Sequence, residues 1–207
     1  MKSCLLLGVI GCTHAAMPSR PPRCFPLYPL AANARWTYDV TIVAGEGDAS
    51  TTRHVRVVRS VGEMTPDGRT RLDTAPAPED SGVEATERYR VTPDRIYDGD
   101  NTVDENLRLV ATPEKSLAWG GPRWFYAPGD GQWKFVGRVD AAPYHDCVKV
   151  LSNTKYGETT QVYCAGVGPV VSEYRESVPR SHDDPALGHH RDATWQLREL
   201  VPGKCAR

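Results

Sequence analysis

Turn-forming residues recur roughly every ten positions along this chain, and no segment between them carries a sustained apolar stripe at helical spacing. Gly45-Glu46-Gly47-Asp48, Thr65-Pro66-Asp67-Gly68, Ala75–Gly82 and Asn153–Gly157 each supply the backbone angles that a tight reversal needs. The 18 glycines and 17 prolines are spread along 207 residues rather than gathered in one linker, so they mark many turns. Between turns the period is two. Trp36-Thr37-Tyr38-Asp39-Val40-Thr41-Ile42 is apolar at even positions and polar at odd ones, the pattern of a half-buried strand. His54–Val57 alternates again, and strands are expected at 69–74, 83–91, 94–98, 105–111, 122–127, 131–139, 146–152, 158–165, 167–176 and 192–200. That spacing belongs to sandwiches and barrels. The segment 177–192, rich in Pro, His and Asp, is expected to be a surface loop.

Charge removes one class of partner. The net charge is −1, with Lys and Arg scattered singly among acidic residues, so no basic patch offers itself to a phosphate backbone and nucleic acid is not expected. No apolar run reaches the roughly 20 residues that span a bilayer as a helix.

The first residues speak to compartment. Lys2 precedes an apolar stretch, Leu5–Ile10, and small residues follow, the order of a secretion signal over 1–11. Val9-Ile10-Gly11-Cys12 looks like a lipobox, at which bacterial lipoproteins are cut and acylated. By that resemblance Cys12 heads the mature chain and carries its lipid, so the protein is expected in the cell envelope, membrane-anchored and facing the periplasm or the exterior. Two alternatives stay open: cleavage after Ala15 or Ala16 to give a soluble secreted protein, and a misplaced start that leaves the chain in the cytoplasm. Residues 12–23 are small, polar and proline-rich and read as a flexible tether. One β domain is expected over 24–207.

The cysteines agree with export. Cys4 leaves with the signal and Cys12 takes lipid, so Cys24, Cys147, Cys164 and Cys205 remain, an even number suited to an oxidising space. Four cysteines allow three pairings. If residues 154–157 form a four-residue loop, Asn153 faces Glu158 and the register sets Cys147 opposite Cys164, close enough to bridge. Cys24 and Cys205 then remain to tie the ends of the folded part together.

Three patches taken in order resemble a family of bacterial lipoproteins and periplasmic proteins of largely unknown function. Phe25-Pro26-Leu27-Tyr28-Pro29-Leu30, leading into Trp36-Thr37-Tyr38, is similar to the family's opening, with Ala31-Ala32-Asn33 where a glycine turn is usual. Trp133–Val139 followed by Tyr144–Val150 is similar to its strand, loop and Asp-Cys-x-x-Val strand. Tyr163-Cys164-Ala165-Gly166-Val167-Gly168-Pro169-Val170 is similar to its Gly-Val-Gly turn. The resemblance covers about a third of the chain. It implies an all-β fold, a curved antiparallel sheet or incompletely closed β-barrel with little or no helix, and it brings no catalytic residues.

Candidate chemistry is sparse. Gly45-Glu46-Gly47-Asp48 lies between two strands, so it reads as a hairpin turn and not a nucleotide loop. Asp98-Gly99-Asp100-Asn101-Thr102-Val103-Asp104-Glu105 gathers oxygen ligands without the spacing of a calcium loop. His182-Asp183-Asp184 and His189-His190-Arg191-Asp192 collect imidazoles and carboxylates in the expected loop. His145 shares a strand face with Cys147, which a disulfide would withdraw from metal binding. There is no Gly-x-Ser-x-Gly elbow and no Cys-x-x-Cys. No catalytic residue, resident metal or cofactor is singled out. The aromatics say more. Trp119, Trp124, Phe125, Tyr126, Trp133 and Phe135 fall close together. They either fill the core or, through Trp119, Trp124, Tyr126 and Trp133, line a surface for an apolar ligand. Two functions follow: a non-catalytic, lipid-anchored envelope protein that binds an apolar ligand or an envelope partner, or a secreted hydrolase or metal-dependent enzyme built on residues 98–105 or 182–192.

Overall fold

The computed structural model describes residues 24–46, 49–99, 106–116, 118–120, 132–154, 156–179 and 187–204. The alternating segment at Trp36 is β1 (Arg35–Glu46), and Trp36, Tyr38, Val40 and Ile42 all lie on its buried face. The chain then runs through β2 (Ala49–Met64), β3 (Thr70–Ala75), β4 (Thr86–Val91), β5 (Arg95–Asp98) and β6 (Asn106–Val110). A 3₁₀ turn, Pro113–Lys115, is the one helical element among the described residues. It leads to β7 (Ala118–Gly120), β8 (Gln132–Ala141), β9 (Tyr144–Asn153), β10 (Gly157–Cys164), β11 (Gly168–Pro179) and β12 (Leu187–Val201).

These strands form one antiparallel sheet in the order β6-β5-β4-β3-β2-β1-β12-β11-β10-β9-β8-β7. Each pairs with its neighbour in sequence, with two departures. The first is that β12 comes back to pair with β1, from Arg35 opposite Val201 to Glu46 opposite His189. The second is that β6 and β7 approach without a ladder between them among the described residues. The sheet therefore curls into a nearly closed barrel with one seam. Curling removes exposed strand edges, and the period-two alternation supplies an apolar inner face on every turn of the wall.

The segment before β1 plugs one end. Phe25, Leu27, Tyr28, Leu30, Ala31 and Ala34 are all buried, and the Tyr28 ring packs edge-on against Trp36 (5.4 Å) and Tyr89 (6.0 Å) and tilted against Tyr163 (6.1 Å). Asn33 sits at φ 65°, doing the left-handed work for which a glycine would otherwise be used. Trp36 Nε1 donates to the Val167 carbonyl at 2.6 Å, the Tyr38 hydroxyl to the Pro169 carbonyl at 2.8 Å, and the Gly166 amide to the Pro26 carbonyl at 2.7 Å. The Trp-x-Tyr opening and the Gly-Val-Gly turn, distant in sequence, thus meet in space. Gly168 permits the meeting: its φ is 100°, and a Cβ there would stand 3.1 Å from both Trp36 Nε1 and Tyr28 Cδ2.

The β9–β10 hairpin has the expected register, with Asn153 opposite Glu158 and Val148 opposite Tyr163. Cys147 and Cys164 are the next pair and form a disulfide with Cα atoms 4.3 Å apart. They face the opposite side of the sheet from Val148 and Tyr163, in a small apolar cluster with Val162 and Val170. Cys24 is also disulfide-bonded. Its expected partner, Cys205, lies outside the described residues; the last described residue, Lys204, bridges Ala32.

One expectation is overturned. The segment 177–192 is not a loop throughout: β11 runs to Pro179 and β12 begins at Leu187. His189 and His190 lie in a ladder on both sides, opposite Glu46 and Gly45 on β1 and Val178 and Ser177 on β11. Two-sided pairing holds such a polar stretch extended, because the backbone hydrogen bonds do not depend on apolar side chains. The strand at 118–120 was not anticipated, and the one expected at 122–127 lies outside the described residues.

Candidate functional site

The seam brings two of the four expected aromatic residues together. Trp119 on β7 and Trp133 on β8 are directly opposite each other, and both are buried, at 5% and 6% exposure. Trp119 Nε1 reaches across the seam to donate to the Arg108 carbonyl on β6 at 3.2 Å. The Arg108 guanidinium lies over the Trp133 ring, 4.4 Å from its centre. Among the described residues, side-chain contacts and not a backbone ladder thus fasten the two edges. Trp124 and Tyr126 lie outside the described residues, as do Cys12 and Asp100–Glu105.

Behind the seam the interior is polar where a barrel of this size is normally apolar. Arg108 donates through Nη2 to Gln161 Oε1 at 3.4 Å, and the Tyr163 hydroxyl donates to the same oxygen at 2.5 Å. Asp98 Oδ2 lies 3.9 Å from Arg108, an ion pair too long for a good hydrogen bond. Across the lumen Arg59, only 9% exposed, pairs with Glu87, which also accepts from the Tyr89 hydroxyl at 3.1 Å. Tyr28, carried in on the plug, completes the group. Burial raises the Tyr28, Tyr89 and Tyr163 hydroxyls above the usual phenol range, with the nearby arginine charges opposing the shift. Burial likewise raises Asp98, against the pull of Arg108.

Several of these buried atoms have no hydrogen-bond partner among the described residues: Tyr28 Oη, Arg59 Nε and Asp98 Oδ1. Each such atom costs about 1–3 kcal/mol unless something supplies the missing partner. Sequence reasoning passed over Arg59 and Arg108. Arg59 carried a signal, since it shares the period-two face of Val55, Val57 and Val61 on β2, where a charge is out of place. Arg108 carried none, because a bulge opposite Ile96 and Tyr97 breaks the alternation of β6 there.

The remaining candidates do not converge. His145 pairs with Asp140 at 3.3 Å, both well exposed, and Cys147 is committed to its disulfide. His182, Asp183 and Asp184 lie outside the described residues, while Arg191 pairs with Glu176 and donates to the Tyr174 hydroxyl at 3.0 Å. Among the described residues no three His, Cys, Asp or Glu side chains gather as a metal would need. A shallow hollow of about 320 Å³ lies at the plugged end, walled by Phe25, Pro26, Pro29, Ala34 and Leu200. The opposite end is crossed by the loop after β3, where the Ser81 carbonyl accepts from Trp195 Nε1 at 3.3 Å.

No protein-family model matches this sequence, and no curated protein does. Among solved structures, a DUF1329 family protein from Desulfovibrio piger aligns over 85% of this chain and 88% of its own, at 10% identity and a TM-score of 0.22. A domain described as an outer membrane lipoprotein-sorting protein, from Vibrio parahaemolyticus, aligns over 82% and 85%, at 9% identity and a TM-score of 0.22. At those scores neither likeness carries an argument, and the reading of this chain rests on its own residues.

Proposed function

We propose that the chain is an exported protein of the cell envelope, anchored to a membrane through lipid on Cys12, that binds an apolar ligand at the β6–β7 seam without catalysing a reaction. One observation supports the binding half most directly. Among the described residues the barrel wall is unladdered at one place, and there Trp119, Trp133 and Arg108 side chains link the two edges. Side chains change rotamer at far lower cost than a sheet breaks a run of backbone hydrogen bonds, so the seam is where a ligand can enter. The Cys147–Cys164 bond supports an oxidising compartment.

Two measurements test the halves separately. The neutral fluorophore N-phenylnaphthylamine is expected to bind saturably, one per chain, with Trp119→Ala weakening it by about tenfold, the loss of one large aromatic contact. Unsaturable binding, or equal binding to the variant, rules out the seam. For the anchor, Cys12→Ser is expected to move the protein from the membrane to the soluble fraction. A single acyl chain holds weakly, and the multiple acylation implied by a lipobox holds firmly. A variant that still sediments with membranes would show that the lipid is elsewhere or absent.

A further inference from the structure

Two of the three orphaned atoms of the interior lack partners of one kind. Tyr28 Oη and Arg59 Nε are donors, on residues that are only 3% and 9% exposed. Among the described residues Arg108 is held by Gln161 at 3.4 Å, by the Tyr163 hydroxyl, by the Trp133 ring and, more loosely, by the Asp98 carboxylate at 3.9 Å. Glu87 is already shared between Arg59 and the Tyr89 hydroxyl. The elements that bring these groups inward are spread along the chain: the plug, β2, β4, β5, β6 and β10. A cluster assembled from six elements around unfilled donors is a preorganised receptor for oxygen acceptors.

We propose that the lumen binds one oxyanion, the carboxylate or phosphate group of a ligand, between Arg59 and Arg108, with the Tyr28 hydroxyl as a third donor. Guanidinium groups suit both anions because their planar forks match two oxygens at once. Two carboxylates stand on the wrong side of the balance: Glu87 is taken up by Arg59 and the Tyr89 hydroxyl, and Asp98 faces Arg108. The unpartnered Oδ1 of Asp98 favours a ligand oxygen that still bears a proton, as a singly ionised phosphate does, and burial favours its own neutral form. This inference rests on the seam as the way in, and it names the polar end of what the seam admits.

Four probes separate the alternatives, each titrated by calorimetry into the full chain: octanoate, octyl phosphate, octanol and inorganic phosphate. Octanoate or octyl phosphate is expected to bind at least about tenfold more tightly than octanol, the difference of one charge-assisted contact. A preference for octyl phosphate assigns the ligand to phosphate esters, and one for octanoate to fatty acids. Saturable binding of inorganic phosphate alone assigns it to a free anion. Tyr28→Phe removes a hydroxyl whose one polar neighbour among the described residues is the Arg59 guanidinium, so it should change the melting temperature by less than about 2 °C while weakening the anion by about three- to tenfold. Arg59→Met is expected to abolish the preference over octanol, read in parallel with its melting curve because that side chain also holds Glu87. Equal binding of octanol and octanoate, with N-phenylnaphthylamine still bound, overturns the oxyanion site and leaves the seam standing. Failure of all four probes and of the fluorophore overturns both, and leaves the orphaned donors to buried water.

Discussion

Trp36→Ala is expected to destabilise the fold by about 3–5 kcal/mol, the range for deleting a large aromatic side chain from a packed core. Trp36 is fully buried on β1, and it does three things at once. It fills the lumen opposite Leu200, takes the edge of the Tyr28 ring at 5.4 Å, and holds the Val167 carbonyl through Nε1. Its loss would leave a cavity, an unpaired carbonyl and a plug with one wall missing. For a domain of this size the fall in melting temperature should be roughly 6–20 °C. Thr37→Ala, one position along on the opposite face, should change it by less than about 2 °C, as surface substitutions usually do. Equal effects at the two positions would show that the alternation of β1 does not set its buried face.

Removing the Cys147–Cys164 bond has the next largest expected effect. The two cysteines are 17 residues apart, and on the chain-entropy estimate a loop of that size contributes about 3 kcal/mol. The double variant Cys147→Ala/Cys164→Ala should therefore shift the urea midpoint down with little change in slope. The wild type measured in reductant should fall further, since Cys24 is disulfide-bonded as well. A double variant as stable as the wild type would mean that the hairpin is already closed in the denatured chain. The Cys24–Cys205 pairing is a separate expectation, and peptide mapping without reductant checks it directly.

The parts legible in the sequence were those governed by short-range pattern. β1 was readable because its inner and outer faces differ in polarity at every step from Trp36 to Ile42. The Cys147–Cys164 pair was readable because a hairpin register follows from its turn, and Asn153 does face Glu158. What escaped was set by long-range neighbours. His189 and His190 look like loop residues, yet β1 and β11 flank them on both sides. Arg108 looks like an exposed charge, yet a bulge turns the wall and brings it over Trp133. Tyr28 precedes the first strand and gives no sign, on its own, that it enters the lumen against Tyr89 and Tyr163. In each case the deciding contact comes from a distant part of the chain, which local periodicity does not encode.

The ladder between β1 and β12 has a consequence for the order in which the molecule can be built. Every other ladder among the described residues joins strands that follow one another along the chain, so each can close as soon as its hairpin exists. The β1–β12 ladder cannot: it waits until Leu187–Val201 has been synthesised. Until then β1 carries an open edge and an apolar face bearing Trp36, Tyr38, Val40 and Ile42, a template for pairing with other chains. The nascent protein is therefore most vulnerable to aggregation just before its last strand emerges. A circular permutant cut between Ala111 and Ser116 would relieve this, because joining β12 to β1 makes the slowest closure a local one.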